Sequence, residues 1–189
     1  VSEIVFGGGD PSQALVSISK EEMFYCDFEY IIFMIRAKSY GGVIKYTKKI
    51  EGETVPFSFD IGKDFKVVGE KGKSSKKVVL LNGDVVEMSP ITVAEMANVL
   101  ETNSSNDAMK YSVLTYSIRR RANENESFEL NTYAEKSSYF NGLEIEDLKR
   151  IKNAYNEFPT LQTIYEVEHK GKKYFTDVLN LVSFFFEEI

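Results

Sequence analysis

The pattern of apolar and polar positions predicts a helix followed by a β-hairpin near the start of the chain. Apolar residues recur at helical spacing from Phe24 to Ile35, after a capping box, and the glycines at residues 41–42 end the predicted helix. Two strands of alternating character follow over residues 43–61, around a glycine turn. Residues 18–62 are therefore predicted to form one helix-hairpin unit.

The same order of elements recurs over residues 141–189. A helix is predicted to begin at Asn141, whose side chain can accept from free backbone N–H groups, and to end at Pro159. Extended segments on both sides of a Lys-Gly turn at residues 170–171 form a second predicted hairpin. Residues 179–189 complete the unit as a short apolar helix. The two units share a pattern of elements and not residue identity.

Residues 63–140 are predicted to form a middle section of a hairpin and short helices. The Asn-Gly pair at residues 82–83 lies between two apolar runs and is a strong hairpin signal. A capping box at residues 92–95 begins a short helix. Residues 107–118 fit a helix better than a strand, although a strand over residues 110–118 stays a competing interpretation.

These elements define an α+β fold class, because strands and helices do not alternate as they do in parallel-sheet proteins. We expect a single domain over residues 1–189, in which residues 1–17 form an N-terminal arm. The chain is 43% hydrophobic, which is enough to bury a core.

Charge and cysteine content narrow the classes of function. The formal net charge of -6 argues against a protein that coats nucleic acid. The single cysteine, Cys26, cannot form an internal disulfide and is expected to be a buried, inert thiol. No apolar run approaches the roughly 20 residues that span a bilayer, so we expect no membrane partner.

The chain lacks the residue clusters that catalysis and metal binding require. Its only histidine, His169, is predicted to be exposed at a hairpin tip, and a zinc site needs about four ligands of the histidine or cysteine type. We predict no catalytic residue, no metal site, no cofactor and no small-molecule substrate. An enzyme that uses a pair of carboxylates is the least favoured alternative.

Two basic segments support an alternative function. One is the loop that carries Lys71, Lys73, Lys76 and Lys77, and the other is the run Arg119, Arg120 and Arg121. We interpret the arginines as a solvated helix C-terminus, because no aromatic side chains are interleaved with them. The alternative is a small regulator that binds nucleic acid, or a host protein, through these two segments.

The apolar end of the chain is the predicted contact surface. Three consecutive aromatic residues on a helix point in directions about 100° apart, so they cannot all face one small core. We expect at least one of them to contact a partner. The predicted interface residues are Leu181, Phe184, Phe185, Phe186 and Ile189.

Two segments resemble a family from T-even-type contractile phages, the base plate hub subunit or hub assembly proteins. Members carry an early segment of the type lxxIRAKSxGexI, and residues 32–44 here have the sequence IFMIRAKSYGGVI. Near their end, members show a helix, a segment of the type FxxxPxL, a hairpin and an apolar helix with paired phenylalanines. Here residues 151–161 have the sequence IKNAYNEFPTL, and an apolar run follows over residues 179–185.

The resemblance implies a non-enzymatic protein that acts through contacts with other hub, base plate and tail proteins. It implies a location in the virion tail base plate, or in the host cytoplasm during assembly. Relatives often carry paired cysteines at the hairpin tips, like zinc knuckles. Here the tips have the sequences KIEG, at residues 49–52, and HKGK, at residues 169–172, so a metal role is not carried over.

Overall fold

The α+β class is confirmed. A computed structural model of the chain describes Ser19 and residues 21–70, 72–162 and 164–177. This part of the chain contains six helices and ten strands, and all strand pairs are antiparallel. The predicted N-terminal arm, residues 1–17, and the predicted C-terminal helix, residues 179–189, lie outside the described residues.

The helices are α1 (Tyr25–Tyr40), α2 (Ile61–Asp64), α3 (Val93–Thr102), α4 (Asn106–Ser117), α5 (Tyr133–Asn141) and α6 (Ile145–Tyr155). The strands are β1 (Val43–Ile50), β2 (Glu53–Asp60), β3 (Val67–Val68), β4 (Lys76–Val79), β5 (Val85–Met88), β6 (Ile118–Ala122), β7 (Ser127–Glu129), β8 (Thr160–Leu161), β9 (Ile164–His169) and β10 (Lys172–Asp177).

The contacts group the chain into two compact units. The larger unit comprises Val1–Phe28 and Gly69–Pro159, and the smaller one comprises Glu29–Val68 and Thr160–Ile189. Both predicted hairpins, β1–β2 and β9–β10, belong to the smaller unit, whereas α6 belongs to the larger one. The single domain over residues 1–189 stays a prediction.

The larger unit is built around a four-stranded sheet in the order β4-β5-β6-β7. Apolar side chains from its strands pack against the helices, because each element buries one apolar face. The centre of this core is fully buried and includes Val86 and Met88 of β5, Ile118 of β6 and Ile151 of α6. On α6, the buried Asp147 accepts a hydrogen bond of 2.9 Å from the backbone N–H of Leu81.

The two hairpins of the smaller unit share one core with α1. Its buried residues are Phe33, Ile44, Phe59, Ile61 and Leu161. The Phe59 ring of the first hairpin lies 4.7 Å from the Tyr165 ring of the second, measured between centroids. Aromatic pairs at this distance add to the stability that burial provides.

Residues 32–44, which carry the family resemblance, contain the C-terminal end of α1 and the turn into β1. Arg36 is 2% exposed and donates a hydrogen bond of 3.2 Å to the carbonyl of Gly41, and its guanidinium lies over the Tyr40 ring. Gly41 has φ +90°, a conformation that glycine adopts at little cost at helix C-termini. The arginine and the glycine together direct the chain from the helix into β1.

Three predicted boundaries are corrected. In place of the predicted capping box, the backbone N–H of Glu22 donates to the carbonyl of Ser19 in a turn, and α1 begins only at Tyr25. Asn141 is the last residue of α5 and does not cap α6, whose N-cap is Glu144. Residues 106–117 are helical, so the helix that the sequence favoured over a strand is confirmed there. The arginines at residues 119–121, however, belong to β6 and not to the end of a helix. They are extended because β6 pairs with both β5 and β7.

We expect Gly69→Ala to destabilise the larger unit more than Gly83→Ala does. Both glycines have positive φ, +93° and +88°, and the left-handed conformation alone costs an alanine about 1–2 kcal/mol. A Cβ at Gly69 would also lie 2.3 Å from the backbone carbonyl oxygen of Phe158, whereas a Cβ at Gly83 meets nothing within 4 Å. Chemical denaturation of the two variants checks this, and equal losses of unfolding free energy would contradict it.

Candidate functional site

A network of partly buried charge surrounds Glu95, in the first turn of α3. Its carboxylate accepts a hydrogen bond of 2.9 Å from the backbone N–H of Thr92, which completes a capping box. Arg119 of β6 donates to the same carboxylate, at 2.8 Å for the Nη2–Oε2 pair. The Nζ atom of Lys136, on α5, lies 3.4 Å from Oε1. One side chain thus contacts three separate elements of the larger unit.

The protonation of this network follows from burial and pairing. Burial acts to raise the pKa of Glu95, but Arg119, the backbone N–H of Thr92 and the charge of Lys136 together outweigh it, and the pKa lies below its ordinary value. For Lys136, burial and the repulsion of Arg119 lower the pKa of the ammonium group, and Glu95 only partly offsets them. Lys136 also donates to the carbonyl of Tyr116 at 2.9 Å.

Both cations of this network have further protein acceptors. Beyond Glu95, Arg119 donates to the Ser89 hydroxyl and, at 3.0 Å, to the carbonyl of Pro90. The contacts of Glu95, Arg119 and Lys136 thus join α3, β6 and α5. The sequence indicated the capping box at residues 92–95 but gave no sign of the two cations, which lie 24 and 41 residues further along.

The predicted basic segments are largely neutralised by carboxylates. In the first segment, Lys73 lies 3.2 Å from a carboxylate oxygen of Glu157, and Lys76 pairs with the same carboxylate. Lys71 lies outside the described residues. In the second segment, Arg119 pairs with Glu95 and Arg120 pairs with Glu129. A phosphate would have to displace a carboxylate at these four cations, which weakens the nucleic-acid alternative, whereas no described ion pair involves Lys77 or Arg121.

The third arginine, Arg121, differs from its two neighbours. Its guanidinium carbon lies 4.8 Å from the centre of the Phe128 ring and 5.4 Å from that of Tyr139. Aromatic rings therefore accompany Arg121 in the structure, although none is interleaved with the arginines in the sequence. The two rings come from β7 and α5, and the run of three basic residues gave no sign of them.

The hairpin tips of the smaller unit are joined by opposite charges. Lys170 pairs with Glu53 at 2.5 Å, and Lys172 pairs with Glu51 at 2.7 Å. His169 ends β9 with a side chain that is 17% exposed, and its Nε2 atom lies 3.4 Å from Glu53. The expectation of an exposed histidine is thus corrected. The tips offer no thiolate, and within the described ranges no group of three His, Cys, Asp or Glu side chains could hold a metal ion.

The predicted interface residues, Leu181, Phe184, Phe185, Phe186 and Ile189, lie outside the described residues. Elsewhere, the smaller unit exposes large apolar side chains that the sequence analysis did not single out. Tyr40 is 71% exposed, Phe175 68% and Ile164 54%. Single exposed apolar side chains are common, and they mark a surface that contacts other proteins where they form a contiguous patch.

Comparison with known proteins decides the family. The family model described as "T4 bacteriophage base plate protein" matches residues 13–186. The chain belongs to this family. The match includes both segments on which the resemblance to base plate proteins rested. No curated protein and no solved structure matches the chain. A base plate protein has a structural role in the phage tail, in contact with other base plate or tail proteins. None of the helices described for this base plate protein is long and apolar enough to cross a membrane.

We expect Glu95→Gln to lower the free energy of unfolding by about 3 kcal/mol, because it leaves the buried Lys136 and the partly buried Arg119 without a counter-charge. The matched control is Glu146→Gln, since Glu146 and its partner Lys149 are both 62% exposed. That change should cost less than about 1 kcal/mol. Chemical denaturation at neutral pH checks both values.

The same variant has a predicted pH signature. Because the pKa of Glu95 is lowered on folding, its stabilising contribution is complete above the unfolded pKa and is lost as pH falls through the folded pKa. The difference in stability between the wild type and Glu95→Gln should therefore shrink below about pH 4. A difference that is unchanged down to the acid limit of folding would contradict this assignment.

Proposed function

We propose that the chain is a non-enzymatic structural or assembly protein of the base plate hub in a T-even-type contractile tail. It acts by contacts with other hub, base plate and tail proteins. The observation that carries this proposal is the family match over residues 13–186. The hub assignment rests on the resemblance of residues 32–44 and 151–161 to hub proteins, and it is narrower than the family itself.

The geometry of the ionisable groups supports a role without catalysis. Glu95, Arg119 and Lys136 form the most extensive charge network, and their described contacts position α3, β6 and α5. Most of the other described ion pairs join exposed side chains, as at the hairpin tips. We propose that the chain needs no cofactor, metal or small-molecule substrate for its function.

The exposed apolar side chains support a role in assembly. We propose that the smaller unit contacts neighbouring subunits through side chains such as Tyr40 and Phe175, whose large exposed areas lose contact with water on binding. Burial of apolar area contributes about 25 cal/mol per Å². The proposed location is the tail base plate of the particle, or the host cytoplasm while the base plate is assembled.

The proposal is tested with purified proteins. The chain is mixed in turn with each base plate and tail protein of its phage, and complexes are measured by size-exclusion chromatography with light scattering. A stable complex with at least one hub protein is expected. If no such complex forms, and the chain instead binds duplex DNA with a steep salt dependence, the regulator alternative replaces the proposal.

The C-terminal aromatic residues give a finer prediction. Phe184, Phe185 and Phe186 are changed singly to Ser, and thermal stability and binding to the hub proteins are measured for each variant. We expect a position that faces the core to lower the melting temperature. A position that faces a partner should leave the fold intact and weaken binding. Equal loss of stability in all three variants, with no effect on binding by any folded variant, would limit this segment to the core.

A further inference from the structure

The larger unit contains an open groove beside the edge of its sheet. The groove has a volume of about 820 Å³ and lies between the β4–β5 turn, strands β6 and β7, and α5. Arg121, Phe128 and Tyr139 line it, together with Asp84, Glu129 and Glu135. The volume is in the range of grooves and clefts that hold a small molecule or a few residues of a peptide.

Arg121 lines this groove, and both of its described contacts are with aromatic rings. Its neighbours Arg119 and Arg120 are each paired with a carboxylate, whereas Arg121 stacks on Phe128 and Tyr139. Stacking leaves the edge of the guanidinium, with its N–H donors, available to a planar acceptor such as a carboxylate. The Tyr139 hydroxyl in the same wall is buried and has no hydrogen-bond partner in the described structure.

The three carboxylates that line the groove are already engaged. Glu129 pairs with Arg120, Glu135 accepts from the backbone N–H of Thr132 at 2.9 Å, and Asp84 accepts from the Asn82 amide at 3.1 Å. None of them has a described contact with Arg121. The negative charge of Asp84 and Glu135 would repel a strongly acidic ligand, whereas the Glu129 carboxylate pairs with Arg120 on the opposite face of the sheet. The groove therefore favours a ligand that brings one carboxylate to Arg121 and is otherwise apolar or neutral.

Strand β7 adds a free backbone edge to the groove. The backbone N–H of Leu130 donates to the carbonyl of Arg119 at 2.8 Å. Because the hydrogen-bonding direction alternates along a strand, the backbone N–H and C=O of Phe128 point towards β6. Those of Glu129 point away from the sheet. β7 is the last strand in the sheet order, and no described strand pairs with its outer side. Phe128 is 40% exposed above the same edge.

We propose that the edge of β7 and the adjoining groove bind an extended segment of another base plate protein. The segment adds as a strand to the outer side of β7, one of its Asp or Glu side chains binds the Arg121 guanidinium, and a neighbouring apolar side chain packs on Phe128. Main-chain hydrogen bonds along a free edge provide affinity, and the side-chain pockets provide specificity. This inference rests on the proposed function, since it assigns a surface to contacts within the base plate.

The test uses the full chain and short overlapping peptides that cover the base plate proteins of its phage. Binding is measured by biolayer interferometry, first to the intact proteins and then to the peptides. The variant Arg121→Gln is compared with Arg120→Gln, a change on the same strand whose side chain points to the opposite face. We expect Arg121→Gln to weaken binding at least about ten-fold and Arg120→Gln to change it less than about two-fold.

A second pair of variants tests the strand edge separately. Glu129→Ala removes the side chain alone, and Glu129→Pro also removes the N–H that points outward. Only the proline variant should lose peptide binding, and circular dichroism confirms that both variants are folded. If Glu129→Pro is unfolded, loss of binding with an N-methylated peptide backbone provides the same information from the partner side.

The outcomes separate this inference from the proposed function. If the wild type binds no base plate protein, the proposed function fails. If it binds one but Arg121→Gln and the edge changes have no effect, or if the bound peptides carry no acidic residue, this surface is not the binding site and the proposed function stands. The inference is supported if Arg121→Gln and Glu129→Pro lose binding while the controls Arg120→Gln and Glu129→Ala bind normally.

Discussion

The arrangement of the larger unit depends on the carboxylate of Glu95. The side chain caps α3 through Thr92 and at the same time receives Arg119 from β6 and Lys136 from α5. The Lys136 side chain is 5% exposed, and those of Glu95 and Arg119 are 17% and 28% exposed, so loss of one partner leaves a poorly solvated charge unpaired. A local signal for the start of a helix is thereby coupled to the packing of two distant elements. The core around Val86 and Ile118 provides the apolar burial, and the charge network restricts how the helices are placed on it.

Local features were predictable because their signals lie within a few residues. The Asn-Gly turn at residues 82–83, the capping box at residues 92–95 and the glycine end of α1 each depend on the chemistry of one turn. Features set by distant pairing were not predictable in this way. The three arginines look like the basic end of a helix, yet they form a strand because β5 and β7 pair on both sides of them. Tertiary contacts overrode the local preference.

The candidate site also combines features that were visible in the sequence with features that were not. The family motif at residues 32–44 was visible in the sequence, and the structure gives its physical basis: buried Arg36 binds the helix end beside Gly41. The partners of the basic segments were not visible, because Glu157, Glu95 and Glu129 come from other elements. The charges thus mainly stabilise the fold, while large apolar side chains such as Tyr40 and Phe175 face outward. A fold with this distribution suits a protein whose task is to contact other proteins.

The central proposal is that the chain acts in the base plate through contacts with other base plate and tail proteins. The most direct test is to delete its gene from its phage and to count base plates in electron micrographs of the infected-cell lysate. We expect lysates that contain phage heads but few complete base plates. Base plates should be restored when the wild-type chain is supplied from a plasmid. Normal numbers of complete base plates in the absence of the chain would contradict it.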